Sequence, residues 1–408
     1  PQPIHPTEDE DTAPAAKASH RAPLPAHLPR AERVVPAPHA AGDACPDCGG
    51  ALHDAGATHS EMLDWIPASI RVLRISRPKC ACRACGTLHQ ALAPARIVPG
   101  GLATPGLVAH VLISRYCDHL PLFRQSQIFA RHGLAISRST LSGWVGHTCW
   151  WLERLHEQLV AHVMAGSRVF ADDTTLPVLD PGRGRTKTGR LWAYTRDDRS
   201  HGGTAPPAVV FHYEPDRQGC RPAAHLETFS GILQVDGYVG FEALTGGGRI
   251  VLAACWSHAR RKFYELHEAG SPVATEALGR IAELYRIESR IRGQSPEHRQ
   301  RVRAEWSQPL VEAMQIWLDL QLTRLSGRSK LAEAIRYALG RWTALSRFLD
   351  DGRIDLDTNP VERSIRPIAL GRKISGKRSF APLLTADLTC RYPARSLSAP
   401  PPFASPTT

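Results

Sequence analysis

Three carboxylates in different local contexts are the residues of this chain best suited to chemistry. Asp172 and Asp236 each lie in an apolar, strand-like run, and Glu362 lies in the basic, helix-compatible segment NPVERSIRPIALGRK. Mg²⁺ prefers carboxylate and phosphate oxygens as ligands, and two such ions can hold the attacking and leaving oxygens of an in-line displacement. The three acids, with cations beside the last, therefore predict a magnesium site that acts on phosphodiesters.

A second set of metal ligands lies in the first quarter of the chain. Two C-x-x-C-G motifs contain Cys45 with Cys48 and Cys82 with Cys85. Each motif can place two thiolates on one ion, and four thiolates close a tetrahedral structural zinc site. Cys80 could compete as a ligand, but the C-x-x-C spacing favours Cys82. The strand-like segment between the two motifs predicts a zinc ribbon.

Composition limits the class of protein. The chain has 408 residues, a net charge of +11 and 42% hydrophobic residues, which favours several folded domains and a polyanionic partner. The longest apolar runs are far shorter than the ~20 residues that span a bilayer, so no membrane partner is expected. Five of the cysteines fall between positions 45 and 85, which favours bound metal in a reducing compartment such as the cytoplasm.

Hydrophobic periodicity changes several times along the chain and predicts its organisation. The fold class that follows is multidomain α+β. We predict a disordered arm at 1–43, a zinc ribbon at 44–95, a helical DNA-binding domain at 104–165, the first part of an α/β core at 167–262, a helical insertion at 263–350, a core helix with the third acid at 351–373 and a disordered tail at 374–408.

The order of elements in the core matches a ribonuclease-H-like architecture. Three strands, a helix and a fourth strand follow one another, with Asp172 in the first strand and Asp236 at the end of the fourth. In that architecture these two strands are neighbours, and a later helix brings the third acid, Glu362. Asp173 adjoins Asp172, and the alternation of side chains along a strand allows only one of the two to face the site.

Several basic and polar residues are candidate DNA contacts. The segment 124–145 predicts a helix, a turn and a second helix, which is either a DNA-reading unit or an ordinary helical hairpin. The Gly-rich segment 182–190 predicts a basic turn that either binds phosphates or is simply solvated. The candidates are Arg138, Thr140, Lys187, Arg190, Arg260, Arg261, Arg366, Arg372 and Lys373.

Cys255 and His258 follow the fourth strand in the segment ACWSHARRKF. One cysteine and one histidine are too few ligands for a metal site. We therefore predict a packed cysteine and a polar histidine near the acidic site.

Four segments together resemble one known family. ADDTTLPVLDPGRGRTKTGRLWAYTRDDR, LQVDGYVGF, CWSHARRKF and NPVERSIRPIALGRK resemble the bacterial insertion-sequence sixty-six transposases, and CPDCGG with RPKCACRACG resembles the zinc-ribbon segment of that family. The resemblance covers about residues 22–373. It implies a DDE transposase with a ribonuclease-H-like core, in which Asp172, Asp236 and Glu362 bind catalytic Mg²⁺ or Mn²⁺. The implied partners are double-stranded DNA, as element ends and target, and further copies of the chain.

The last residues depart from the family pattern. Residues 374–408 lack periodicity and contain six prolines, and we interpret them as the product of a shifted reading frame. This interpretation leaves an alternative function open. The chain would then be a catalytically impaired transposase remnant that acts only as a zinc-dependent DNA-binding protein.

Overall fold

The computed structural model describes residues 79–81, 88–90, 96–98, 101, 103–180, 182 and 184–375. Contacts divide the chain into two compact units, Pro1–Ser76 and Arg77–Thr408, and every described residue belongs to the second. The predicted arm and nearly all of the predicted tail lie outside the described residues. The same holds for the predicted zinc ligands, Cys45, Cys48, Cys82 and Cys85.

Two short strands and three helices precede the main sheet. β1 (Lys79–Ala81) pairs antiparallel with β2 (Leu88–Gln90) inside the predicted ribbon segment. The helices are α1 (Pro105–Tyr116), α2 (Leu122–Arg131) and α3 (Arg138–Met164). The side chain of Thr104 caps α1 and that of Ser137 caps α3, each by accepting a backbone N–H of the first turn. The apolar faces of all three helices share one core, which includes Val111, Phe129, Leu141 and Trp144.

A five-stranded mixed sheet forms the centre of the described structure. Its strands are β3 (Arg168–Leu179), β4 (Thr186–Arg196), β5 (Ala208–Glu214), β6 (Gly231–Val235) and β7 (Ile250–Ala254), in the order β5-β4-β3-β6-β7. β4 runs antiparallel to β3 and β5, whereas β3, β6 and β7 are parallel. The helix α4 (Cys220–His225) lies between β5 and β6 in sequence.

Two details of this sheet differ from the sequence-based predictions. β7 was not predicted, although Gly246, Gly247 and Gly248 mark a turn just before its short run IVLAA. The predicted basic turn at 182–190 is much shorter than expected, because β4 already begins at Thr186. Lys187 and Arg190 are therefore strand residues and not turn residues.

The two faces of the sheet are covered by different elements. Val169, Ala171, Trp192 and Tyr194 point to one face and belong to a core that also contains Val163 of α3. Phe170 and Ala193 alternate with them and point to the other face, where they pack against a late helix, α11 (Asn359–Ser375). The side chains of adjacent residues in β3 therefore point to opposite faces of the sheet.

Helices fill the interval between β7 and α11. They are α5 (Trp256–Glu268), α6 (Pro272–Ile291), α7 (Pro296–Val302), a π-helical turn (Arg303–Ser307), α8 (Gln308–Thr323), α9 (Lys330–Leu339) and α10 (Trp342–Ser346). Short 3₁₀ turns occur at Arg199–His201, Val239–Gly247 and Arg347–Leu349. The hydrophobic core of the helices between β7 and α11 includes Ile232 of β6 and Ala253 of β7, so these helices pack directly on the β6–β7 end of the sheet. Among the described helices, none combines the length and apolar composition that crossing a bilayer requires.

Candidate active site

Asp172 lies on the α11 face of the central strand. It is the cross-strand partner of Ala193, and directly opposed residues of an antiparallel pair share a face. Ala193 packs in one cluster with Val361 and Ile365 of α11. Asp172 therefore projects on the side of the sheet that α11 covers.

Asp236 directly follows β6, the parallel neighbour of β3. Its carboxylate accepts a hydrogen bond from the backbone N–H of Tyr238 (3.0 Å), which closes a tight turn. Gly237 within this turn has φ +99°, a backbone conformation that favours glycine. The turn is held from outside as well. Tyr337 donates its hydroxyl to the carbonyl of Asp236, and Arg341 donates to that of Gly237.

Glu362 lies in the first turn of α11. The neighbouring Val361 is fully buried against the sheet, and Ile365 one turn later is also buried. The hydroxyl of Thr358 donates to the Glu362 carboxylate at 3.3 Å, and the Nδ1 atom of His258 lies 3.9 Å from the same oxygen. The side chain keeps 38% of its exposure, so a ligand can reach it from solvent.

Asp172 interacts electrostatically with both of the other two acids. Burial raises the pKa of Asp172, and the negative charges of Asp236, Asp173 and Glu362 raise it further, although a hydrogen bond from the Asp173 backbone partly opposes this. The resulting pKa is about 7. Repulsion of this kind between carboxylates on three separate elements is what a bound cation relieves. The donor set is oxygen only, which suits a hard divalent ion.

Asp173 has a different environment from its neighbour. Its side chain is 2% exposed and forms ion pairs with Arg190 (2.8 Å) and Arg217 (2.7 Å). It pairs across the sheet with Trp192, which points away from α11. Arg217 also approaches Asp236 at 4.0 Å and stacks on the ring of Tyr238. Sequence analysis did not find Arg217, because it lies in a loop without a recognisable motif.

A hydrogen-bonded ladder holds the segment that leads into α11. The side-chain amide of Gln234 in β6 donates to the carbonyl of Asp355 (2.8 Å), and its oxygen accepts the Asp355 backbone N–H (2.9 Å). The backbone N–H of Trp256, at the start of α5, donates to the carbonyl of Leu356 (2.8 Å). These bonds fix the chain just before Glu362 relative to the strand that ends in Asp236.

Buried ion pairs reinforce this segment. The carboxylate of Asp355 binds Arg168 of β3 (3.0 Å) and Arg299 of α7 (2.8 Å). Arg299 and Arg303 in turn share Glu288 of α6. Burial alone would raise the pKa of Asp355, but the two arginines outweigh burial and lower it to about 2. Sequence analysis did not predict this network, since its members are far apart in the chain.

The predicted DNA contacts lie on several elements. Arg138 and Thr140 are exposed in the first turn of α3, Lys187 is exposed on β4, and Arg260, Arg261 and Arg366 are exposed on α5 and α11. Arg190 is already paired with Asp173. Arg372 and Lys373 belong to α11, of which only the backbone is described at those positions.

Cys255 and His258 lie next to Glu362, as expected of residues near the acidic site. Cys255 is buried at the start of α5, and its sulfur accepts hydrogen bonds from the backbone N–H (3.4 Å) and the hydroxyl (3.3 Å) of Thr358. Burial raises the pKa of the Cys255 thiol to about 11, although these hydrogen bonds oppose it. The free side chain is therefore a neutral thiol.

Comparisons with known proteins agree with the resemblance found in the sequence. Residues 100–379 match the family model described as Transposase IS66 family, and residues 43–86 match the zinc-finger binding domain of transposase IS66. The uncharacterized protein y4jD of Sinorhizobium fredii is 45% identical over 376 residues, which cover 88% of this chain and 73% of that protein. The uncharacterized protein y4qI of the same organism is 44% identical over 393 residues, with 91% and 72% covered. The chain belongs to the IS66 transposase family.

Proposed function

We propose that this chain is the DNA transposase of an insertion sequence, with Asp172, Asp236 and Glu362 as its metal-binding triad. The reaction would cut DNA strands at the element ends and join them to target DNA. The observation that carries the proposal is the convergence of the three acids: burial, together with the negative charges of Asp236 and Glu362, raises the pKa of Asp172 to about 7. A buried carboxylate beside two further acids is typical of a functional site.

The sheet supports a ribonuclease-H-like core for this enzyme. The strand that carries Asp172 is central, its antiparallel neighbours follow it in sequence, and the strand that ends at Asp236 lies parallel beside it. α11 then brings Glu362 to the same side as Asp172. The central position of the first strand and its pairing with the fourth support the sequence-based hypothesis.

The triad fits Mg²⁺ or Mn²⁺, because it offers carboxylate oxygens alone. When bound, such ions activate the attacking oxygen and stabilise the leaving one. The chain's own residues would bind the ions, and their surroundings would fix the positions of the carboxylates. Asp236 is held by its turn and Glu362 by the Thr358 hydroxyl. Arg217, which is paired with Asp173, lies 4.0 Å from Asp236 and links the two carboxylates.

The zinc ribbon would serve DNA binding and not catalysis. Cys45, Cys48, Cys82 and Cys85 would form a closed ligand set with no open position for substrate. The match of residues 43–86 to the zinc-finger domain of this family supports zinc in this segment. If Cys80 replaced Cys82 as a ligand, Cys82→Ser would keep its full zinc content.

The partner would be double-stranded DNA, bound by several copies of the chain. The net charge of +11 and the exposed arginines of α3, α5 and α11 support contacts with phosphates. Each phosphate that such residues neutralise contributes about −0.9 to the slope of log affinity against log salt. A protein that holds two element ends and a target together also requires more than one active site, which supports a homo-oligomer on DNA.

The test is strand cleavage of a duplex that carries an element end, in Mg²⁺ or Mn²⁺. Asp172→Asn, Asp236→Asn and Glu362→Gln are expected to lower the rate by at least about a hundredfold while DNA binding persists. Glu265→Gln is the matched control, because Glu265 is an exposed carboxylate on α5. Full cleavage by all three triad variants would overturn the assignment.

The alternative, a remnant that only binds DNA, predicts no cleavage by the unmodified chain. One feature of the described structure favours the active enzyme. Val361, Ile365 and Ile368 of α11 are buried, and the first two pack on the sheet. The turn that carries Glu362 thus has its packing partners within the described residues, without the segment that departs from the family pattern.

A further inference from the structure

Cys255, His258 and Glu362 converge from two helix starts. Cys255 is the residue that precedes the first turn of α5, and His258 follows three residues later on the same side of that turn. Glu362 occupies the first turn of α11. The Cys255 sulfur, one ring nitrogen of His258 and one Glu362 oxygen all lie within 4.8 Å of one another.

We propose that these three side chains form a second metal site, for a borderline-soft divalent ion of the Zn²⁺ class, and that this site shares Glu362 with the Mg²⁺ triad. Thiolate, imidazole and carboxylate are the three ligand types that zinc takes in proteins. Hard ions such as Mg²⁺ do not select sulfur or imidazole. The ligand set therefore distinguishes this site chemically from the oxygen-only set of Asp172 and Asp236.

The surroundings of the sulfur support a metal-bound thiolate. Its two hydrogen bonds come from the backbone N–H and the hydroxyl of Thr358, and it lies at the N-terminus of α5, where the helix dipole favours negative charge. The Thr358 hydroxyl has one proton, which it shares between the Cys255 sulfur and Glu362, each 3.3 Å away. Hydrogen-bonded neighbours of this kind orient metal ligands. On binding, the ion takes the place of the thiol proton, which is released to solvent.

The imidazole is free to be a ligand. The Nδ1 atom of His258 is buried, yet it has no hydrogen-bond partner among the described residues. It lies 3.9 Å from the nearer Glu362 oxygen. Zinc–ligand bonds of about 2.0–2.3 Å in a tetrahedron separate the ligand atoms by roughly 3.3–3.6 Å. Small rotations of the half-exposed Glu362 and His258 side chains would close the difference around the fixed sulfur.

Sharing one carboxylate has a consequence that rests on the proposed function. Glu362 cannot give its full coordination both to the triad and to an ion held by Cys255 and His258. Zn²⁺ at the second site is therefore expected to slow Mg²⁺-dependent strand cleavage. Three protein ligands also leave a fourth position open, so the ion would remain exchangeable, unlike the zinc of a closed four-cysteine site.

The test measures metal binding without DNA. The full chain, with its zinc ribbon already filled, is titrated with Co²⁺, whose bond to a thiolate gives an ultraviolet charge-transfer band. We expect the band of a single thiolate to saturate at one Co²⁺ per chain; Co²⁺ bound by the oxygen-only triad does not contribute to this band. Cys255→Ser should abolish the band. Cys220→Ser should keep it, because Cys220 is an exposed free cysteine outside the cluster.

A second variant tests the site independently in case Cys255→Ser does not fold. Glu362→Gln changes a partly exposed side chain and is expected to weaken Co²⁺ binding by at least about tenfold while the thiolate band remains at saturation. A band that persists in Cys255→Ser, or an affinity that Glu362→Gln leaves unchanged, would overturn the inference. Neither readout depends on cleavage, so a failure of the proposed transposase activity would be seen separately.

Discussion

Asp172→Asn is expected to make the protein more stable at alkaline pH while it removes a carboxylate from the triad. Burial, followed by the charge of Asp236 and smaller effects of its other acidic neighbours, raises the pKa of Asp172 from 3.8 to about 7. An acid with a raised pKa contributes stability that is complete below its unfolded pKa and is lost as pH rises through the folded pKa. Ionised Asp172 therefore destabilises the folded state, and asparagine does not.

The magnitude follows from the shift. One pKa unit corresponds to about 1.4 kcal/mol, so the rise from 3.8 to about 7 costs the folded state about 4 kcal/mol at pH 8. pH 5 lies between the unfolded pKa of 3.8 and the folded pKa of about 7. At this pH the folded state keeps Asp172 mostly protonated while the unfolded chain has it ionised, and the cost is about 1.5 kcal/mol. The stabilisation by Asp172→Asn should thus grow by about 2.5 kcal/mol between pH 5 and pH 8.

The assay is urea unfolding of both proteins at the two pH values in buffer without Mg²⁺. The change between pH values is the informative quantity, because pH-independent effects of the new amide cancel. Asp173→Asn is the matched control on the same strand. Its carboxylate is 2% exposed and pairs with Arg190 and Arg217, and removal of one partner from a buried pair costs about 3–5 kcal/mol. An equal gain for Asp172→Asn at both pH values would refute the reasoning.

Three further outcomes can be measured. Asp355→Ala should lower the free energy of unfolding by about 3–5 kcal/mol, as urea unfolding at pH 7 would show, because Arg168 and Arg299 lose their buried partner. Arg261→Ala should weaken binding to any duplex and reduce the magnitude of the log–log salt slope by about 1 in fluorescence anisotropy titrations, since Arg261 is exposed on α5. Cys82→Ser should lower the zinc content of the purified chain by one ion, measured by atomic absorption.

Local pattern was enough to place the acids in the right kind of element. The apolar runs around Asp172 and Asp236 form strands, and Thr104 and Ser137 cap the helices that follow them. These signals are short-range, since strand alternation and helix capping depend on neighbours within four residues. Strand alternation in the structure also sends Asp172 and Asp173 to opposite faces.

Interactions between distant residues were beyond the reach of the sequence. The pairing of Gln234 with Asp355 joins positions 121 residues apart, and Thr358 reaches Cys255 across 103 residues. Periodicity and composition do not predict which distant residues come into contact. For the same reason the sequence offered only two ligands, Cys255 and His258, for the second metal site. The third ligand, Glu362, comes from another helix.

The helices between β7 and α11 determine how the second and third acids face each other. α9 and the residue that precedes α10 bind the turn after β6, through Tyr337 to the carbonyl of Asp236 and through Arg341 to that of Gly237. α7 binds Asp355, the anchor of the segment that enters α11. α9 and α10 share a hydrophobic core with α6, and Arg299 of α7 is ion-paired with Glu288 of α6, so a displacement of these helices would move both acids' supports together. A metal site needs its ligands within a fraction of an ångström, and a shared rigid support is a physical reason for so long an interval between Asp236 and Glu362.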